Sequence, residues 1–274
     1  MIQVDEARGR AAMRRFTELP YFLFRLEPRW APPLIGTEKA RFDRFRNETL
    51  MAREHVNLLA RVQGAPAGRL ALELDEEGVG VVTAYDVTDD VDVAIALFEA
   101  AREWLDEYEG SGGLRGPEVL VEGYDRPGVL GRVWQPQWYA DGLRAAGLVE
   151  ADRRSTWRLP AGGAVTLRAD PSAEVPAMVG RYGDRRVVLR DIAAVPDVTE
   201  AKGSTRELVR RAKRGEWSTA VIVRCDGDPS VLVPALAAAA GAAGYVDVVA
   251  PWSPDQDAAP ETVHARFDGF IAPR

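Results

Sequence analysis

The sequence has one cysteine, Cys225, and two histidines, His55 and His264, in 274 residues. A single thiol closes no internal disulfide, and three such side chains do not assemble a Cys/His zinc site, so no metal is expected. Cys225 reads as a plain strand residue. Lysine occurs only at 39, 202 and 213, which leaves arginine to carry almost all the positive charge. With alanine and glycine abundant, that usage suggests a high-GC bacterial genome. No apolar run reaches bilayer length, and the start Met1-Ile2-Gln3-Val4-Asp5-Glu6 lacks the apolar core of a secretion signal. A cytoplasmic protein with no membrane partner is therefore expected. The net charge of −7 argues against nucleic acid, which draws on clustered Lys and Arg. The basic run Arg206 to Arg214 is the local exception; on a helix, Arg206, Arg210 and Lys213 or Arg214 share one face, either solvated or docking an anion or a partner.

What remains is an ordinary globular composition, 46% hydrophobic and 28% charged, with enough chain to bury a full core. Residues 14–25 read as a helix broken at Pro20, because proline lacks the N–H donor and clashes with the preceding turn. Trp30-Ala31-Pro32-Pro33-Leu34 then imposes extended chain. Apolar runs at 56–63 and 69–74 flank Gly64-Ala65-Pro66-Ala67-Gly68, the pattern of a hairpin with a long turn. Gly80 to Tyr85 continues as a third strand.

Val91, Ala94, Ile95, Leu97, Phe98, Ala101, Trp104 and Leu105 recur at helical spacing behind a capping Asp89 or Asp90. Val119-Leu120-Val121 is a short strand, Pro136 to Ala146 a helix closed by Gly147, and Thr156 to Leu159 a last strand. Pro160-Ala161-Gly162-Gly163 reads as a junction. It divides a first domain, 1–160, from a smaller α/β domain, 161–274, of unassigned role, which either completes the site or forms an interface. In that second half, strands near 164–168, 186–190, 217–224 and 245–250 alternate with helices near 172–180, 204–214 and 231–243.

Several stretches carry a family likeness. Phe16, Leu19-Pro20-Tyr21, Arg25, Pro28, Trp30 and Pro32-Pro33-Leu34 resemble the opening of bacterial GNAT-like N-acyltransferases of the YghO type. Gly68-Arg69, Arg115-Gly116-Pro117, Val121-Glu122-Gly123-Tyr124-Asp125 and Trp134-Gln135-Pro136-Gln137-Trp138-Tyr139 with Ala146-Gly147-Leu148 extend the likeness to about residues 14–159. The resemblance implies an α/β (α+β) fold, a GNAT-like mixed sheet flanked by helices, with acyl-CoA as donor and a small-molecule amine as acceptor.

The sequence departs from the family at three places. Typical relatives hold the acyl-CoA pyrophosphate on a glycine-rich turn at a helix N-terminus. Here that turn is Asp86-Val87-Thr88-Asp89-Asp90-Val91-Asp92, with four carboxylates and no glycine, so the standard loop is absent. Leu143 stands where many relatives place the tyrosine that protonates the leaving thiolate, and Tyr139 lies one turn earlier. The Asn-containing stretch of the relatives is shortened to Glu118-Val119-Leu120.

Acyl transfer to an amine requires a base, donors that polarise the carbonyl and an acid. The catalytic candidates are Glu54, His55, Glu122 and Tyr139, with strand amides near Val119 to Val121 as polarising donors. Tyr124, Asp125, Arg69, Arg132, Trp134 and Trp138 are the substrate-binding candidates; the aromatic group offers cation–π contact to an ammonium. Strand entry, turn capping and helix packing account for the same residues. Three functions stay open: N-acyl transfer from acyl-CoA, a biosynthetic enzyme on the same scaffold that activates an amine without CoA, and a non-catalytic partner protein. A homo-oligomer or a second subunit that completes the site is compatible with each.

Overall fold

A computed structural model describes residues 1–30, 32–33, 35–43, 45–108, 113–126, 128, 133–160, 168–169, 177–182, 185–196, 219–226, 247–250 and 263–273, with backbone only for 154–268. The chain forms two compact units, 1–124 with 135–152 and 267–274, and 125–134 with 153–266. The sequence suggests one cut near 160; the observed division is discontinuous.

In the first unit the elements are β1 (Ile2–Glu6), α1 (Gly9–Leu23), α2 (Ile35–Arg41), α3 (Glu48–Ala52), β2 (His55–Val62), β3 (Ala65–Leu74), β4 (Gly80–Val87), α4 (Val91–Asp106), β5 (Leu114–Glu122) and α5 (Trp138–Ala145). The start of β6 (Val149–Pro160) and the end of β12 (Val263–Ile271) complete a seven-stranded mixed sheet, β1-β2-β3-β4-β5-β12-β6. Strands β1 to β4 run antiparallel in sequence, and β4 pairs β5 in parallel across the α4 crossover. Both faces of the centre are covered, which is why Leu58–Ala60 and Ala67–Leu72 are buried without alternation. One face meets Phe16 and Leu19 of α1 and Phe42. Against α4, Gly68 lies so close that a Cβ there would stand 2.7 Å from Val93 Cγ1.

Two local expectations are corrected. The hairpin turn is the two-residue pair Gln63-Gly64, both with positive φ (51° and 84°), so β3 begins at Ala65 and runs through Pro66. Left-handed backbone at both positions gives the tight turn that matches strand twist, and a register shift after Ala60 accommodates the proline. Helix α1 continues through Pro20 to Leu23. Strand β1 and helices α2 and α3 were not anticipated. Asp90 caps α4 as expected, its Oδ1 accepting from the Asp92 amide at 3.1 Å, and Gly147 (φ 82°) closes α5.

In the second unit, β7 (Arg168–Ala169), β8 (Ala177–Tyr182), β9 (Arg185–Pro196) and β10 (Thr219–Asp226) pair antiparallel in sequence. Strand β10 pairs β11 (Asp247–Ala250) in parallel, and β11 pairs the second part of β6 antiparallel. The expected helix near 172–180 is overturned at Ala177–Gly180, which lies in β8. The expected helices 204–214 and 231–243, the basic run and most of the expected strand 164–168 lie outside the described residues.

The two units repeat one connectivity, three antiparallel pairings followed by a parallel one. They also share a detail. In β4, Val82 and Ala84 face consecutive residues of β3, which leaves Thr83 as a bulge. In β10, Ile222 and Arg224 face consecutive residues of β9, which leaves Val223 in the same role. A bulge bends the strand that carries it, in each case the strand that enters the parallel crossover.

Candidate functional site

The first unit gathers polar side chains around the carboxyl end of β4. Arg69 on β3 is 4% exposed, and its guanidinium spends donors on three elements. Nε donates to Asp86 Oδ2 at 2.6 Å, Nη2 to Glu38 Oε1 at 2.8 Å and Nη1 to the Phe16 carbonyl at 3.1 Å. The last bond explains why α1 survives its proline. Pro20 has no N–H for the carbonyl four residues back, and that carbonyl is Phe16's. Arg69 supplies the missing donor while lying between the Phe16 and Phe42 rings, 5.2 and 5.4 Å from their centroids. Burial alone would lower the Arg69 pKa, but Asp86 and Glu38 outweigh it and raise it.

Asp86 also accepts from the Tyr139 hydroxyl, Oδ1 at 2.9 Å. Burial first, then the Asp86 charge, holds the Tyr139 phenol well above its ordinary pKa of 10. Tyr85 lies against Tyr139 with ring centroids 5.1 Å apart, and its buried hydroxyl has no hydrogen-bond partner among the described residues. Burial raises the Tyr85 pKa as well. At the rim, Tyr21 donates to the Pro33 carbonyl at 2.7 Å, and burial, then Glu38, pushes its pKa up to about 12. Arg41 of α2 donates to the carbonyl of the bulged Thr83.

The structure sorts the expected site residues into separate places. Arg69, Trp138 and Tyr139 meet at the end of β4. Arg69, expected at a substrate, braces Asp86, Glu38 and the Phe16 carbonyl, with each of its three guanidinium nitrogens donating one bond. Glu122 closes β5 and is exposed; Tyr124, half-buried, donates its hydroxyl to the Leu120 carbonyl at 2.8 Å. Asp125, exposed, and Trp134, buried, belong to the second unit, and Arg132 lies outside the described residues.

Glu54 and His55 stand at the other end of the sheet. His55 pairs Glu73, beside the start of β4, with Nδ1 3.2 Å from the Arg53 carbonyl. Glu54 is exposed and 3.4 Å from the Tyr108 hydroxyl. Since β4 runs from Gly80 to Val87, roughly 20 Å of strand separates this end from Tyr139. Glu54 and His55 therefore do not converge with Glu122 and Tyr139.

The turn after β4 has little to offer a phosphate. The Thr88 amide donates to the Ala67 carbonyl and the Asp90 amide to the Thr88 carbonyl, both at 2.8 Å; the Asp92 amide is held by the Asp90 side chain, and the Val93 amide by the Asp90 carbonyl at 3.2 Å. Of the polarising strand amides proposed near 119–121, that of Leu120 is taken by Gln135 Oε1 at 2.8 Å. The residues of this unit do not fit the pyrophosphate of an acyl-CoA at that turn. Among the described residues no cluster of His, Cys, Asp and Glu is arranged to hold a metal. None of their helices is long and apolar enough to cross a membrane.

Glu38, Tyr85 and Gln135 were missed in sequence. One signal was readable for the buried cluster: a proline inside a helix orphans a named carbonyl, and an orphaned buried carbonyl needs a donor.

The fold is that of the GNAT N-acyltransferases, and comparison with solved structures gives the two-unit version of it. A tandem GNAT protein from the clavulanic acid biosynthesis pathway aligns over 99% of this chain and 98% of its own, with 16% identity and a TM-score of 0.54. A GCN5-related N-acetyltransferase from Anabaena variabilis aligns over 99% of this chain and 72% of its own, at 11% identity and a TM-score of 0.48. No protein-family model and no curated protein matches the sequence.

Proposed function

We propose that the protein is a transferase that moves an acyl group onto a small-molecule amine, with an acyl-CoA donor held elsewhere than at the turn after β4. The observation that carries this reading is the repeated frame, a meander whose bulged last strand enters a parallel crossover, in a chain whose fold aligns end to end with a tandem GNAT protein. The YghO-type likeness of residues 14–159 supports the same reading.

Tyr139 positions and does not transfer, because its hydroxyl is spent on Asp86. Thermal unfolding with rising acetyl-CoA, other acyl-CoAs and free CoA is the first test, since a ligand of the native state raises apparent stability with the logarithm of its concentration. A saturable rise, followed by thiol release with a panel of amines, is expected. No shift with any CoA species at millimolar concentration would remove the acyl-CoA reading.

A second reading is favoured by the committed amides at 88, 90, 92 and 93. Here the scaffold activates an amine for intramolecular substitution or elimination in a natural-product pathway, on a substrate that carries its own leaving group. A third, a non-catalytic partner protein, takes support from the separation of Glu54 and His55 from Glu122.

A further inference from the structure

We infer that the first unit has filled its own donor cleft with side chains of the segment entering α5, so that it binds no CoA and the chain takes at most one equivalent. The count rests on the acyl-CoA reading above; the closure of the cleft does not.

Strands β4 and β5 pair only at Gly80 with Leu114 and Val81 with Arg115, although they run on to Val87 and Glu122. The Thr83 bulge bends β4 at the start of this unpaired stretch. Such a gap holds an extended, amide-bearing ligand through the free edges of its strands, and here the Val87 carbonyl of that edge is taken. Gly68 faces Val87 and the Thr88 amide goes to Ala67, so the Val87 carbonyl points away from β3, toward β5. That carbonyl accepts from Trp138 Nε1 at 3.0 Å.

Leu120 of β5 is engaged twice by side chains, its amide by Gln135 and its carbonyl by Tyr124. The turn that would take the phosphates has four amides committed internally and carries Asp89, Asp90 and Asp92. Behind it α5 sits directly on α4, close enough that a Cβ at Gly142 would stand 2.9 Å from the Ala94 Cβ. These are separate bonds from separate residues.

The test is amide hydrogen exchange on the full chain, with and without acetyl-CoA, together with calorimetric stoichiometry. The expected result is a slow Leu120 amide without ligand and no change at 86–93 or 117–122 when acetyl-CoA is added. Any binding should saturate at one equivalent. Protection of 86–93 by acetyl-CoA, or two equivalents bound, would overturn the closure.

If no CoA binds, the functional reading fails and the closure is still tested by variants. Gln135→Leu should speed Leu120 exchange at least tenfold, and Gln135→Glu, which keeps an acceptor, should leave it slow. Equal Leu120 rates in wild type and Gln135→Leu would show that Gln135 does not close the cleft.

Discussion

Tyr85 shows at a single residue what the candidate site demands of its surroundings. Its hydroxyl is buried without a partner among the described residues and points at Gly142, where an added Cβ would stand 2.6 Å from it. An unsatisfied buried hydroxyl is a standing cost, so Tyr85→Phe should be neutral or stabilising by about 1 kcal/mol. Gly142→Ala should cost about 1–3 kcal/mol through overpacking between α4 and α5. Combined, the two should cost less than their sum, because Phe removes the oxygen that the new methyl meets. Urea unfolding of the four proteins checks the cycle; strict additivity would mean that the hydroxyl does not limit the approach of the helices.

The pairing of Pro20 with Arg69 belongs to the element scale, since it joins α1 to β3 through a bond neither sequence motif discloses alone. Arg69→Met leaves Glu38 and Asp86 buried without their cation and should cost about 3–5 kcal/mol. Pro20→Ala restores the N–H that the Phe16 carbonyl lacks, so it should recover about 1 kcal/mol in the Arg69→Met background and less in wild type. An equal effect in both backgrounds would sink the link. Much at this scale was legible beforehand. The α4 periodicity, the Asp90 cap and the Gly147 stop each depend on residues within a few positions, and all three stand in the structure. The passage of α1 through Pro20 was not legible, because the donor that permits it lies 53 residues away. Trp138 and Tyr139 read as a substrate wall for the same reason: their partners, Val87 and Asp86, are distant in sequence.

Across the whole molecule, the repeated meander was invisible in sequence because connectivity, not residue identity, carries it; Thr83 and Val223 share only their place in a bulge. The first unit can be tested as a body through its phenols. Tyr21 is held at about 12, and Tyr85 and Tyr139 are raised as well, in each case chiefly by burial. A phenol with a raised folded pKa binds its proton more tightly in the native state. The stability this contributes is complete below the ordinary value of 10 and is lost as pH climbs through the folded values. The unit should therefore lose stability from about pH 10 upward, and these three of the seven tyrosines should form phenolate only as it unfolds. Phenolate absorbance followed beside circular dichroism across that range would show the late class rising with loss of structure. Tyr85→Phe should make the fall in stability shallower. If all seven phenols titrated as one class near 10 while the fold persisted, the buried cluster at the end of β4 would be open to water, and neither the brace nor the closed cleft would stand.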